Sequence, residues 1–385
     1  MSRLCCVVLL GCVSLASACG GGGGDDAEVV QEWTLSADPE LVIGEDGTVA
    51  GEFAWISDVL ALPGGEIAAV DPGPKEIRIF DASGSWQRTI GREGAGPGEF
   101  SGISWLQLIN DTLVVYDQSQ RRLTLLGLDG RLFTTIHPQP EGTQGFVFPR
   151  ARTFSGNWVV SVNVALASAA AQGAGLPSGL MRDSLALGLL SSAGDGPVHF
   201  FAGLPTQPIL GIPELQIGMM APLFAAPRVM VVGDRIAVLD PENGTLSWYN
   251  AEGVLETKVG LGIPRRAMTS DWLDSTRRAR LAEDVNQRQR TIAEAMFAPE
   301  AAPIEFPVFR SALGNGPDQL WLEEWQHPAP DRARYLVIAA DGSWRASVRM
   351  PLGFTLTTIG PDWVLGVHRD ADGLNRVMKY GLVRR

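Results

Sequence analysis

Ile43-Gly-Glu-Asp-Gly-Thr-Val-Ala-Gly-Glu-Phe53 and Ile90-Gly-Arg-Glu-Gly-Ala-Gly-Pro-Gly-Glu-Phe100 are near-copies within one 385-residue chain. Ile, three Gly, Glu and Phe stand in register at an offset of 47 residues, from 43 to 90. A period of that size belongs to repeats, because each unit is one supersecondary element that cannot bury its apolar face alone.

Outward from this pair, a turn followed by an apolar strand recurs six times. The copies begin at Gly64-Gly65-Glu66-Ile67, Asn110-Asp111-Thr112-Leu113, Ser155-Gly156-Asn157-Trp158, Gly233-Asp234-Arg235-Ile236, Pro317-Asp318-Gln319-Leu320 and Pro361-Asp362-Trp363-Val364. Gly, Asn and Asp supply the turn geometry that joins antiparallel strands. Three of the five steps are about 45 residues and two are 30 to 40 residues longer, as if carrying insertions. Asp71 to Gly84, Asp117 to Gly130 and Asp240 to Gly253 form a second ruler of constant length. Each runs through an alternating strand (Ile77, Ile79 and Phe80 in the first) to a tight turn and a further strand.

Four strands per repeat and six repeats predict an all-β chain, a six-bladed β-propeller. The sixth repeat ends at Arg385 without room for a fourth strand, so Trp33 to Ile43 is expected to pair with the final blade and close the ring, hiding its edges. Ala165 to Gly179 reads as an irregular surface loop and Pro205 to Pro222 as a second, proline-punctuated excursion. Thr269 to Phe297 reads as one helical insertion, with Trp272, Ala279, Val285, Ile292 and Met296 on one face and arginines on the other. It is either a surface helix on the propeller rim or a lid or docking element.

The N-terminus carries an address. Arg3, an apolar run from Leu4 to Leu15 and the small residues before Cys19 have the form of a secretory signal, too short to span a bilayer. Ala16-Ser17-Ala18-Cys19 resembles the lipobox of bacterial lipoproteins, with alanine at Ala16 where leucine is commoner. The resemblance implies cleavage before Cys19 and lipidation of its sulfur; ordinary secretion with cleavage near Ala18 is the alternative. All four cysteines fall at or before residue 19, so a mature chain holds one thiol and no internal disulfide. The organisation expected is a signal over residues 1–18, a lipidated Cys19 with a glycine-rich tether to residue 28, and the propeller over residues 29–385.

The Gly-x-Gly-Pro-Gly-Glu-Phe loop, the spacing from Val70-Asp71 to Ile79-Phe80 and the lipobox together resemble the bacterial six-bladed β-propeller lipoproteins, relatives of the NHL-repeat proteins. The usual NHL pattern wants Asn and Arg after the aspartate; Arg122 is the nearest match, while Asp71 and Asp240 are followed by proline. The resemblance implies architecture and an exported setting, at the cell envelope on the outer-membrane or periplasmic side. It supplies no activity, because propellers host many.

For function, a net charge of −12 argues against nucleic acid as a partner. The four histidines, His137, His199, His327 and His368, stand apart, and no Gly-x-Ser-x-Gly elbow, His-Glu-x-x-His motif or phosphate loop is present. Asp71, Asp117 and Asp240 recur where a side chain accepts turn N–H groups; a metal-ligand role is the rival reading. Arginine is the polar type that recurs where innermost strands open: Arg150 and Arg152, Arg228, and Arg310. They are expected either to converge at one channel mouth on a carboxylate or phosphate, or to bind groups of a neighbouring blade.

The preferred expectation is a monomeric, membrane-anchored binding or scaffold module for a protein, peptide, glycan or small anionic ligand, with no catalytic residues and no cofactor. The alternative is a lactonase-like hydrolase or lyase holding calcium or zinc in the axial channel.

Overall fold

The computed structural model describes residues 31–44, 52–53, 55–143, 146–163, 178–282, 285–316, 319–325, 332–370 and 372–384. The expected signal, Cys19 and the tether fall outside them, as does nearly all of the loop expected at 165–179.

Six antiparallel units follow one another along the chain. Blade 1 is Asp58–Ala61, Ile67–Asp71, Glu76–Phe80 and Trp86–Ile90; blade 2 is Ile103–Ile109, Thr112–Asp117, Arg122–Gly127 and Leu132–Ile136. Blade 3 is Phe146–Arg152, Trp158–Asn163, Ser184–Leu190 and His199–Pro205; blade 4 is Arg228–Val232, Arg235–Asp240, Thr245–Tyr249 and Leu255–Gly260. Blade 5 is Phe309–Asn315, Gln319–Glu324, Arg332–Ala339 and Trp344–Pro351. Blade 6 has Phe354–Ile359, Trp363–Arg369 and Asn375–Val383, and takes Leu41–Ile43 as its fourth strand.

The ring closes. Each first strand touches the first strand of the next blade, blade 6 to blade 1 included, so the first strands surround the axis. Closure from the N-terminus is as expected, with one addition. Gln31–Leu35 lies parallel to the last strand of blade 5 and antiparallel to Asn375–Val383, the third strand of blade 6, clasping both. Because it runs with the fourth strand of blade 5, Gln31 starts at the face opposite the one where first strands begin.

The core is six wedges rather than one centre. Each blade pair encloses its own apolar cluster, from Ile79, Phe100 and Leu113 between blades 1 and 2 to Tyr335, Met350 and Tyr380 between blades 5 and 6. Second strands are therefore covered on both faces, and Ile67–Asp71 is buried at every position. That burial explains why those strands read as unbroken apolar runs instead of alternating. Tryptophan pins neighbours together: Trp105 Nε1 donates to Pro149 O (3.1 Å), Trp248 Nε1 to Ala340 O (2.7 Å) and Trp344 Nε1 to Leu261 O (2.8 Å).

The duplicated stretch is a blade-to-blade connection. Phe100, fully buried, plugs the wedge between blades 1 and 2, and Phe53 does so between blades 6 and 1. Gly91 is required: at φ 79° it passes so close that a Cβ would lie 2.4 Å from Phe100 Cε2. Arg122, buried, donates to Ala95 O, Gly96 O and Glu99 O and so fixes this loop. In the preceding repeat Arg78 donates to Glu52 O (2.6 Å) and pairs with Asp71 (3.0 Å).

The insertions differ from expectation in two ways. The helical insertion is two helices, α1 (Ser270–Ala282) and α2 (Gln287–Met296), because Asn286 and Gln289 form a capping box that starts a new helix inside a continuous apolar period. The excursion after blade 3 is ordered: Ile209–Ile212 and Ile217–Met220 form a sheet with Gly179–Met181. These pieces pack together. Leu210, Ile212 and Phe224 meet Ile292 and Met296 of α2, forming one lobe on blades 3 to 5. Its segments leave and rejoin the ring at turns and connections on the face where first strands begin.

Candidate functional site

Arg150, Arg228 and Arg310 lie where three consecutive first strands meet the channel. Arg150 and Arg310 are the extra residues of β-bulges: Pro149 and Ala151 pair with consecutive residues of the neighbouring strand, as do Phe309 and Ser311. A bulge re-aims the side chain of its unpaired residue. Arg228 has no bulge and pairs with Leu239 at the start of its strand.

All three are exposed to solvent. Arg150 Nε donates to Ser161 Oγ (2.7 Å), and Arg228 Nη2 donates to the backbone oxygen of Arg310 (3.0 Å), which joins blades 4 and 5. Arg310 stacks 4.9 Å from the Trp325 ring centroid. None of the three pairs with a carboxylate among the described residues, although Arg88, Arg182 and Arg376 each do.

Their surroundings cost them hydration. Desolvation holds the Arg150 guanidinium below its ordinary range; nearby Tyr116 works against that, and Arg228 adds to it. Desolvation likewise lowers Arg228, with Glu323 opposing. The two guanidinium groups thus feel one another across the mouth. Glu323 also lies on this side; it accepts from Ser311 Oγ (2.8 Å) beside the buried Tyr335, whose phenol is pushed well up by burial first and by Glu323. Partly desolvated cations that form no ion pair attract an anion strongly, because charge-assisted bonds are about twice as strong as neutral ones.

Arg152 does not belong to this group. It ends its strand at the opposite mouth, where Nε donates to Gly156 O (3.2 Å) and the guanidinium lies 5.0 Å from the Trp158 centroid. Two positions of separation and a bulge between pairs carried it away from Arg150.

The recurring aspartates cap turns. Asp71 accepts from Gly73 N (3.1 Å), Asp117 from Gln120 N (2.9 Å) and Ser101 N (2.6 Å), and Asp240 from Glu242 N (3.0 Å) and Asn243 N (3.1 Å). Lys75, Arg121 and Gly244 follow four residues later with φ of 62°, 50° and 60°. The left-handed residue is a property of this turn in all three blades. Among the described residues, no three His, Cys, Asp or Glu side chains converge as metal ligands would.

Asp58 faces the axis from blade 1 and fastens it to blade 2. Its carboxylate accepts from Val59 N (2.9 Å) and Leu106 N (2.8 Å), and burial raises its pKa to about 6. Blades 2 and 3 are joined there by neutral groups: Gln107 Nε2 donates to Arg152 O (3.1 Å) and Gln107 Oε1 accepts from Arg152 N (2.8 Å).

Sequence reasoning missed a cleft beside the mouth. A cavity of about 350 Å³ opens between blades 2 and 3, lined by Tyr116, Gln118, Arg121, Pro138, Phe146 and Phe148 among others. The signal available was negative: the connection after Ile136 lacks the Gly-Glu-Phe ending that plugs the wedges on either side of blade 1.

A family model described as "6-bladed beta-propeller" matches residues 47–138. RING finger protein nhl-1 of Caenorhabditis elegans is 31% identical over 86 residues, 22% of this chain; the chain spans 9% of the length of that curated relative. An exported protein, as it is described, of Bacteroides fragilis aligns over 93% of this chain and 98% of its own at 10% identity and a TM-score of 0.49. Virginiamycin B lyase of Staphylococcus aureus aligns over 92% of this chain and 100% of its own, at 10% identity and a TM-score of 0.44. The chain is a six-bladed β-propeller with NHL-like repeats.

Proposed function

We propose that this protein is a lipid-anchored binding module of the cell envelope that takes an anionic ligand at one mouth of its propeller. The observation that carries the reading is the arginine group: in a chain of net charge −12, Arg150, Arg228 and Arg310 gather at the mouth without a carboxylate partner among the described residues. Arg150 and Arg228 also give up hydration there. A carboxylate or phosphate recovers that loss by bidentate hydrogen bonding.

Anchoring rests on the lipobox-like Ala16-Ser17-Ala18-Cys19. Gln31 starts at the face opposite the arginine mouth, so a tether leading to it would hold the mouth and the lobe away from the bilayer. A scaffold role would use the same outward face.

Thermal unfolding of the purified chain with and without millimolar citrate tests the ligand class. The parent Tm rises by about 2–4 °C for each kcal/mol of binding linkage. The Arg150→Ala, Arg228→Ala double variant unfolds at an unchanged temperature in citrate. A parent that no small anion stabilises removes the basis of the proposal. Cys19→Ser, followed by membrane fractionation, tests the anchor separately: the variant leaves the membrane pellet if Cys19 carries the lipid.

A further inference from the structure

The cleft between blades 2 and 3 and the arginine mouth share a wall. Tyr116 lines the cleft and also perturbs Arg150; Phe148 lines the cleft and lies 5.9 Å from the Arg150 guanidinium carbon. On the far side, the Arg121 guanidinium stacks 4.9 Å from the Phe146 ring centroid. The cleft thus presents three aromatic side chains with an arginine at either end. Phe146 is 43% exposed.

The cleft is built rather than incidental. Its outer wall, from Pro138 to Thr143, is strapped to the last turn of blade 3: Gln139 N donates to Gly194 O (2.8 Å) and Glu141 N to Gly196 O (2.8 Å). A wall tied at two points is in place before a ligand arrives, which lowers the ordering cost of binding. The equivalent connection between blades 1 and 2 puts Phe100 into the wedge. Between blades 2 and 3 the apolar cluster of the wedge takes in no residue of 137–143 among the described residues. At about 350 Å³ the cleft matches a small-molecule site and is far too small for a folded partner.

We infer that the ligand is an aromatic carboxylate, its ring taking the place that Phe100 fills one blade earlier and its anionic group reaching the Arg150 end of the cleft. The inference rests on the anion-binding reading and adds the ring to it. Ring burial in an aromatic cleft contributes through area and through offset or edge-to-face stacking. Arg121 over Phe146 closes the outer end, where a second acidic group would also be accepted.

Calorimetric titration of the purified chain with three probes separates the parts: N-acetylphenylalanine has ring and charge, N-acetylglycine has charge alone, and N-acetylphenylalanine amide has the ring alone. N-acetylphenylalanine binds at least about tenfold more tightly than either of the others, the equivalent of ~1.4 kcal/mol. Phe146→Ala removes the advantage over N-acetylglycine while leaving N-acetylglycine binding unchanged, and Arg150→Ala weakens N-acetylphenylalanine more than its amide. Equal affinity for the two carboxylates overturns the cleft assignment and leaves the anion mouth standing. Failure of both carboxylates to bind overturns both.

Discussion

Between blades 1 and 2 the chain crosses on a glycine-rich loop and drops Phe100 into the wedge, where it is fully buried. Between blades 2 and 3 it crosses on Pro138–Thr143, and the aromatic that follows, Phe146, is drawn into the first strand of blade 3 and stays 43% exposed. The same architectural position is a plug in one case and a cavity in the other. The loops are held differently as well. Buried Arg122 gathers three carbonyls of the first, whereas its neighbour Arg121 points outward onto Phe146 and accompanies the second. The first connection has its aromatic and its arginine packed away, and the second has both at a surface.

That contrast breaks most visibly on truncating the two aromatics. Phe100→Ala removes a plug from a closed wedge and costs about 3–5 kcal/mol in denaturant unfolding. Phe146→Ala, at a site already open, costs less than about 1 kcal/mol. Similar losses for both would show that the two connections pack alike. The arginine pair follows: Arg122→Met removes a buried group that gathers three loop carbonyls and lowers stability by about 1–3 kcal/mol, while Arg121→Met stays within about 0.5 kcal/mol of the parent.

The axial fastenings of the two joints predict a smaller difference that depends on pH. Asp58 joins blade 1 to blade 2 with a pKa of about 6, above the ordinary aspartate value near 3.9. Between those values the unfolded chain has lost the proton and the folded chain keeps it, so stability falls as pH rises from about 4 to about 6. The whole effect is at most on the order of 3 kcal/mol. Asp58→Asn flattens that slope in Tm measured across this range. The Gln107 and Trp105 fastenings of the second joint carry no titrating group, so Gln107→Leu leaves the slope as it is in the parent. A slope that survives Asp58→Asn assigns it elsewhere.

The ring was legible because its determinants are local and repeated. Turn residues, apolar second strands and the aspartate caps recur at fixed spacing, and each means the same thing in every copy. Closure by Leu41–Ile43 was legible for a related reason: the sixth repeat lacks a fourth strand. The lobe was not, since Leu210 and Ile212 find Ile292 and Met296 across some eighty residues with no repeat to announce the contact. The helix break at Asn286 hid beneath an unbroken apolar period. Of the site, three of four arginines gather as the strand openings suggested, and the bulges at Arg150 and Arg310 decide which way they face. Residue spacing does not reveal a bulge, and so Arg152 was grouped with Arg150. The cleft left no positive mark, because it exists where a phenylalanine plug is missing.

The arginine mouth and the cleft are tested together by a crystal structure of the chain grown with N-acetylphenylalanine. Density for the ring in the cleft against Phe146 and Phe148, with the carboxylate within hydrogen-bonding distance of Arg150, is the expected result. A fully occupied ligand bound elsewhere, with the cleft and mouth holding only solvent, would contradict it.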